Sequence, residues 1–257
     1  MSRIQQNAVR NLLLSRLKPD DYGLIQPYLC RVPHPNGHWI ARTGTPLDSV
    51  CFPEGGVCAL LIPMREGHRL AVGMIGYEGL VGTSLFHGAR EWRHDVVVRA
   101  ADTSGLCIAP DRLLDACRQS PSLQDLLLRF AGYFTLQVSR ATVTNLIEPL
   151  ERRMARWILL YHDRLEGDEI PMTHDEIGIM LGVRRASATD VLHVLEGLRA
   201  IRSDRGRVVV RDRRLLEELA GETYGDAEAD YRRMIGPFGK SACSAKPAVG
   251  PVLPLRK

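Results

Sequence analysis

The chain has 257 residues, of which 45% are hydrophobic, and a formal net charge of +4. That apolar content can bury a substantial core, and the length suggests two domains. No apolar run approaches the roughly 18 residues that span a bilayer, and the opening "MSRIQQNAVRNLLLSRL" mixes polar and apolar residues where a signal peptide would carry an apolar core. A cytoplasmic protein with no membrane partner is expected. Six cysteines (Cys30, Cys51, Cys58, Cys107, Cys117 and Cys243) include no C-x-x-C pair. They fit neither a zinc framework nor a disulfide-dense secreted domain, and most should be buried thiols acting as small apolar residues.

In chain order, "IQQNAVRNLLLSRL" has helical periodicity and predicts an N-terminal helix. Residues 24–110 are rich in Gly and Pro, with short β-type runs "VCALLI", "RLAVGMI", "DVVVRA" and "GLCIA" between turn signals. Short strands at such spacing predict a β-sandwich or barrel. The character changes at Ser120, which can cap a helix with Pro121 at its first position. Leu123, Leu127, Phe130, Phe134, Val138 and Ala141 then recur at spacings of three and four, predicting an amphipathic helix to about Ile147. Its length favours a self-associating seam over packing on its own domain. Pro149 marks a hinge. Beyond it, "LERRMARWILLYHDRL" predicts a helix with Met154, Trp157, Ile158 and Tyr161 inward.

The segment from Thr173 onward carries the most specific signal. Thr173 with Glu176 three residues later forms a capping-box pattern that starts a helix at His174. Ile177 and Leu181 face inward, Gly178 is the small contact residue, and Gly182 can adopt the left-handed turn. Val183, Ala188 and Val191 line the inside of a second helix, leaving Arg184, Arg185, Ser187, Thr189 and Asp190 outside. This joint agreement predicts a helix-turn-helix. A strand near Ile201, a turn at "SDRG" and a strand over residues 207–210 add a wing carrying Arg202, Arg205 and Arg207. Residues 199–214 hold seven arginines against two aspartates and no lysine. Arginine suits phosphate because its planar fork donates two parallel hydrogen bonds. The hairpin can therefore meet a DNA backbone beside the major groove.

With sheet-rich domain, long helix, hinge and winged helix in that order, the chain resembles the Crp/Fnr family of bacterial transcription regulators. The closest motif is "THDEIGIMLGVRRASATDVLHVLEGL", and the resemblance runs roughly from Leu12 to Ala220. It implies an α+β fold: an N-terminal cyclic-nucleotide-binding-like β-roll (double-stranded β-helix, or jelly roll), a long dimerisation helix and a C-terminal winged helix-turn-helix. The implied divisions are a sensor over 1–148, with the dimerisation helix at about 121–147, a DNA-binding domain over 149–222 and a flexible tail over 223–257. The implied partners are double-stranded DNA, RNA polymerase, a second copy of the chain and an unidentified small-molecule effector.

Carried over by position, the resemblance puts Arg185 on a guanine edge and Ser187 on a phosphate. Ala186 stands where a glutamate commonly reads cytosine, and Asp190 where a second basic residue is common. The expected DNA-contacting set is Thr173, Arg184, Arg185, Ala186, Ser187, Thr189, Asp190, Arg202, Arg205 and Arg207. In the sensor, Gly82 and Thr83 replace the Gly-Glu of the family's cyclic-nucleotide cassette, and His94 and Asp95 fall at its Arg and Ser positions. Asp95 would set a negative charge beside phosphate, so cyclic-nucleotide binding is expected to be lost. Gly82, Thr83, Arg93 and His94 remain the candidate effector residues. No cysteine precedes Cys30, which disfavours an iron–sulfur cluster. Haem through His34, His38, His68, His87 or Cys51 stays an open alternative, so the cofactor is undetermined.

Two other classes of function compete. "YHDR" and "WRHD" set His beside Asp, but sequence neighbours do not face one another on a helix, and no G-x-S-x-G, H-E-x-x-H or P-loop context accompanies them. An enzyme is not expected. The remaining alternative is a dimeric sensor or protein-interaction module whose winged helix does not read DNA.

Overall fold

A computed structural model describes residues 3–65 and 68–240. Its N-terminal half contains β1 (Cys30–His34), β2 (Trp39–Ala41), β3 (Val50–Pro53), β4 (Val57–Pro63), β5 (Arg69–Ile75), β6 (Asp95–Arg99) and β7 (Thr103–Ile108). These form two antiparallel sheets, one ordered β1-β7-β3 and the other β2-β6-β4-β5. The strand period of two explains why β4 and β6 read as nearly continuous apolar runs. Cys58, Leu60, Val96 and Val98 join Phe52, Leu106 and Ile108 in the core between the sheets. Val57, Ala59, Leu61 and Val97 point the other way, into a second core shared with the C-terminal half. Both faces are covered, so neither alternates with polar residues.

The predicted N-terminal helix is interrupted. A 3-10 turn over Gln6–Ala8 precedes two short helices, α1 (Leu12–Ser15) and α2 (Pro19–Ile25). Asn11 causes the break: its carbonyl oxygen accepts from Leu13 and Leu14 N–H, while its Nδ2 donates to Pro53 and Gly79 carbonyls at 2.9 and 2.8 Å. A capping side chain anchored to the sheet fixes a non-helical backbone there.

After α3 (Pro110–Gln119), Ser120 caps α4 (Pro121–Ile147) by accepting from Leu123 N–H, with Pro121 in the first turn. The helix is 27 residues long. The stripe expected to self-associate instead packs on the chain's own sheet domain. Leu123, Leu127, Phe130, Phe134 and Ala141 are all buried, and Val138 packs against the same core. Spacing identified an apolar face but not its partner. A different face is exposed, carrying Leu128, Val143, Leu146 and Ile147, the last two 79% and 71% exposed.

Pro149 caps α5 (Leu150–His162), in which Met154 through His162 are all buried. The winged helix follows as β8 (Glu169–Pro171), α6 (His174–Leu181), α7 (Arg185–Gly197), β9 (Ile201–Asp204) and β10 (Arg207–Val210), with sheet order β8-β10-β9. It packs on the outer face of β4, β5 and β6 through α5 and α6. Arg99 of β6 pairs with Glu176 of α6 at 2.7 Å across this contact.

The expected flexible tail is corrected over its first part. After α8 (Arg213–Ala220), the chain forms α9 (Asp226–Met234), which returns to α4 and the sheet domain. Ala227, Tyr231 and Phe238 are buried in the inter-sheet core, and Tyr231 Oη donates to the Glu78 carbonyl at 2.7 Å. Few apolar residues anchor this segment, and Gly, Pro and Lys around them masked it. Residues 241–257, including Cys243, lie outside the described residues.

Where the domains meet, Glu78 and Arg164 form a fully buried ion pair at 2.8 Å. Arg164 also donates to the Leu160 carbonyl and the Tyr133 hydroxyl, and Glu78 accepts from Gly76 N–H. Removing one member of such a pair strands a charge in a dry site. Arg164→Met should therefore lower unfolding free energy by about 3–5 kcal/mol, read from urea denaturation. A loss under about 1 kcal/mol would mean that Glu78 is readily hydrated or protonated in the folded state.

Candidate nucleic-acid interface

The helix-turn-helix forms as its local chemistry dictates. Thr173 Oγ1 accepts from Glu176 N–H at 3.2 Å and Glu176 Oε2 accepts from Thr173 N–H at 2.8 Å, closing the capping box. Glu176 thus has two tasks, because its other oxygen takes Arg99. Gly182 ends α6 with φ 67° and ψ 36°, the left-handed conformation expected of it. A Cβ on buried Gly178 would lie 2.9 Å from the Val183 carbonyl, so only glycine permits the two helices to approach this closely. Ile177, Leu181, Ala188 and Val191 are buried, and Val183 is half-buried.

Arg184 is the non-helical residue preceding α7, and Arg185 opens the helix. Both are exposed, as are Ala186 and Asp190, while Ser187 is half-buried. The N-terminal turn of α7 therefore presents two guanidinium groups beside backbone N–H groups that lack helical partners. Arg185 rests 3.4 Å from Asp175 of α6, an exposed contact that water screens. That carboxylate offsets the unfavourable placement of a cation at the positive end of the helix dipole.

Two expected contact residues are committed internally. Thr189 is half-buried, and its hydroxyl bonds His174 Nδ1 at 2.9 Å and the Arg185 carbonyl at 3.0 Å. Thr173 uses its hydroxyl for the helix cap. In the wing, Arg202 and Arg207 are exposed but share Asp204, at 2.6 and 3.4 Å, and Arg207 also reaches Glu169 at 3.2 Å. Arg205 sits exposed at the turn between the strands. Arg213, counted in the arginine-rich run, turns inward to Asp163 at 2.8 Å and belongs to the domain junction.

The N-terminal sheet domain contains a cavity of about 440 Å³ between the 3-10 turn Thr83–His87, β4, β6 and the middle of α4. Gly82, Thr83, Arg93 and His94 all line it. Sequence reasoning did not anticipate Trp92, Phe134 and Val138, which supply its apolar wall. Burial pushes the His94 imidazole below its ordinary range, keeping it neutral near pH 7. Asp95 is corrected: it does not line the cavity. It lies on the other face of β6, where burial opposes its ionisation but Arg69, Thr43 and Arg42 hold its carboxyl below the usual range. The expectation that Asp95 repels a phosphate in this cavity therefore has no geometric basis. Among the haem candidates, His87 lines the cavity, His34 and Cys51 meet elsewhere, and His68 is exposed.

The Crp-like helix-turn-helix domain family matches residues 152–219. No curated protein matches the chain. Among solved structures, a CRP-family transcriptional regulator from Thermus thermophilus superposes with a TM-score of 0.64 at 17% identity, covering 74% of this chain and 97% of its own. FixK2 from Bradyrhizobium japonicum superposes with a TM-score of 0.65 at 17% identity, covering 75% and 98%. A second regulator from Thermus thermophilus, of the CRP/FNR family, gives 0.61 at 23% identity, with 74% and 98% covered. The fold, from sheet domain through long helix to winged helix, is shared along nearly the whole length of these proteins. Residues 152–219 match the Crp-like helix-turn-helix domain family, and the chain around them shares the fold of solved Crp/Fnr transcriptional regulators.

Proposed function

We propose that this chain is a sequence-specific DNA-binding regulator of transcription that acts as a homodimer on an inverted-repeat operator in the cytoplasm. The supporting observation is the exposed start of α7, where Arg184 and Arg185 stand together beside a wing carrying Arg202, Arg205 and Arg207. A guanidinium at Arg185 suits bidentate donation to guanine O6 and N7, and Arg184 suits a phosphate or neighbouring base. Ala186 offers cytosine no acceptor, so operator choice departs from that of relatives with glutamate there. Arg205 is the first wing contact to phosphate, because Arg202 and Arg207 must exchange an acidic partner for it.

The second copy docks on the exposed face of α4. Leu128, Gly132, Leu136, Ser139, Val143 and Leu146 recur there at spacings of three and four. Thr135, Ser139 and Thr142 turn their hydroxyls onto carbonyls four residues back, at 3.0, 2.9 and 3.1 Å. Satisfied hydroxyls and small side chains allow a close helix pair. Dimerisation would present two α7 helices to successive major grooves. The cavity lined by Gly82, Thr83, Arg93 and His94 adjoins this helix, so a small-molecule effector there can bias the pairing. RNA polymerase is the further partner of such a regulator.

Three outcomes follow. Arg185→Ala should weaken operator binding by about 1–3 kcal/mol, or roughly 5- to 150-fold, in fluorescence anisotropy and relax preference at one base pair. Arg205→Ala should instead weaken binding across all sequences and flatten the salt dependence by about one counterion. Introducing Val143→Glu with Leu146→Glu should shift sedimentation equilibrium toward monomer while leaving the far-ultraviolet circular dichroism unchanged. A double variant that stays dimeric would place the seam elsewhere.

A further inference from the structure

His34, Cys51 and Cys107 come from three different strands and converge on one point. Their ligating atoms all lie within 4.8 Å of one another. Strand pairing makes this possible, because Cys51 on β3 stands directly opposite Cys107 on β7, which places both thiols on one face of the sheet. Cys51 exchanges both backbone hydrogen bonds with Val81, at 3.1 and 2.8 Å, leaving a non-hydrogen-bonded pairing with Cys107. Side chains approach closely in such pairs. His34 at the end of β1 leans over Gly105, and a Cβ at Gly105 would overlap Cys51 Sγ and lie 3.1 Å from His34 Nε2. Glycine at this position thus clears the space in which the three donors meet.

We propose that His34 Nε2, Cys51 Sγ and Cys107 Sγ form a zinc(II) site. Zinc bonds of roughly 2.3 Å to sulfur and 2.0 Å to nitrogen at tetrahedral angles place sulfur and nitrogen ligands about 3.5 Å apart. The separations from His34 Nε2 are 3.4 Å to Cys51 Sγ and 3.9 Å to Cys107 Sγ. His34 is buried beside these thiols. It is only 4% exposed, yet its Nδ1 has no hydrogen-bond partner and its Nε2 meets sulfur alone. A metal bond at Nε2 replaces two weak contacts to sulfur with one strong one, while Nδ1, on the far side of the ring, is unaffected by it. Two thiolates and an imidazole select a thiophilic cation over magnesium or calcium. Three protein ligands leave a fourth position for water or an exogenous ligand. On binding, each thiol releases its proton to solvent as its sulfur bonds the cation. The site is one backbone pairing away from Val81 and hence from Gly82 at the cavity.

The test uses the full-length protein, reduced and stripped with a chelator, and zinc(II) alone as the probe. Isothermal titration should show one ion bound per chain. Cobalt(II) in its place should give thiolate charge-transfer and tetrahedral d–d absorption. Cys107→Ser, at a half-buried position, and His34→Gln should each weaken zinc at least tenfold while circular dichroism stays unchanged, whereas Cys30→Ser on the exposed strand end should not. No uptake by the reduced wild type, or uptake unaffected by Cys107→Ser and His34→Gln together, would overturn the proposal. Because no step involves DNA, failure here would leave the DNA-binding reading untouched.

Discussion

The buried ion pair of Glu78 and Arg164 is the constraint from which the arrangement of the domains follows. Charges placed in a dry interior need their full complement of partners, and these two find theirs in the Gly76 N–H, the Leu160 carbonyl and the Tyr133 hydroxyl, beside further polar groups. Tyr133 from α4 reaches Arg164, and Gln137 one turn on ties Tyr133 to Met74 of the sheet. Arg156 of α5 donates to the Thr223 and Gln137 carbonyls, while Asp163 gathers Arg213, Tyr224 and the Lys240 backbone. Tyr231 closes the set on the Glu78 carbonyl. The sheet domain, long helix, winged helix and C-terminal helix thus meet at one polar junction.

This junction lies between the cavity and the helix-turn-helix. The cavity borders α4 a turn or less from Tyr133 and Gln137, and the helix-turn-helix leans on β5 and β6 through Arg99–Glu176. Glu176 caps α6 with one oxygen and holds Arg99 of β6 with the other, so one carboxylate ties the sheet to the start of the helix-turn-helix. A ligand shifts a conformational equilibrium only by its difference in affinity for the two arrangements.

What could be read from the sequence depended on how local the cause was. The helix-turn-helix was legible because Thr173, Glu176, Gly178 and Gly182 act within a few residues of one another. Ser120 and Pro121 announced α4 for the same reason. The partner of its apolar stripe was not legible, since periodicity places Leu127, Phe130 and Phe134 on one face without saying what covers it. Asp95 was misplaced because strand alternation decides its face, and one position along β6 separates the cavity from the Arg42–Arg69 pairing. The meeting of His34, Cys51 and Cys107 was invisible for a stronger reason: it depends on the register of three strands, and no local spacing encodes that. The anchoring of α9 by Tyr231 and Phe238 likewise needed the tertiary structure.

In the proposed function, the exposed turn of α7 reads DNA as one half of a symmetric pair. Selecting genomic fragments on the full-length protein and sequencing them tests it most directly. The account predicts enrichment of a single inverted repeat whose half-sites lie about one helical turn, roughly 10 base pairs, apart. Recovery of no common sequence, or of one lacking two-fold symmetry, would contradict it.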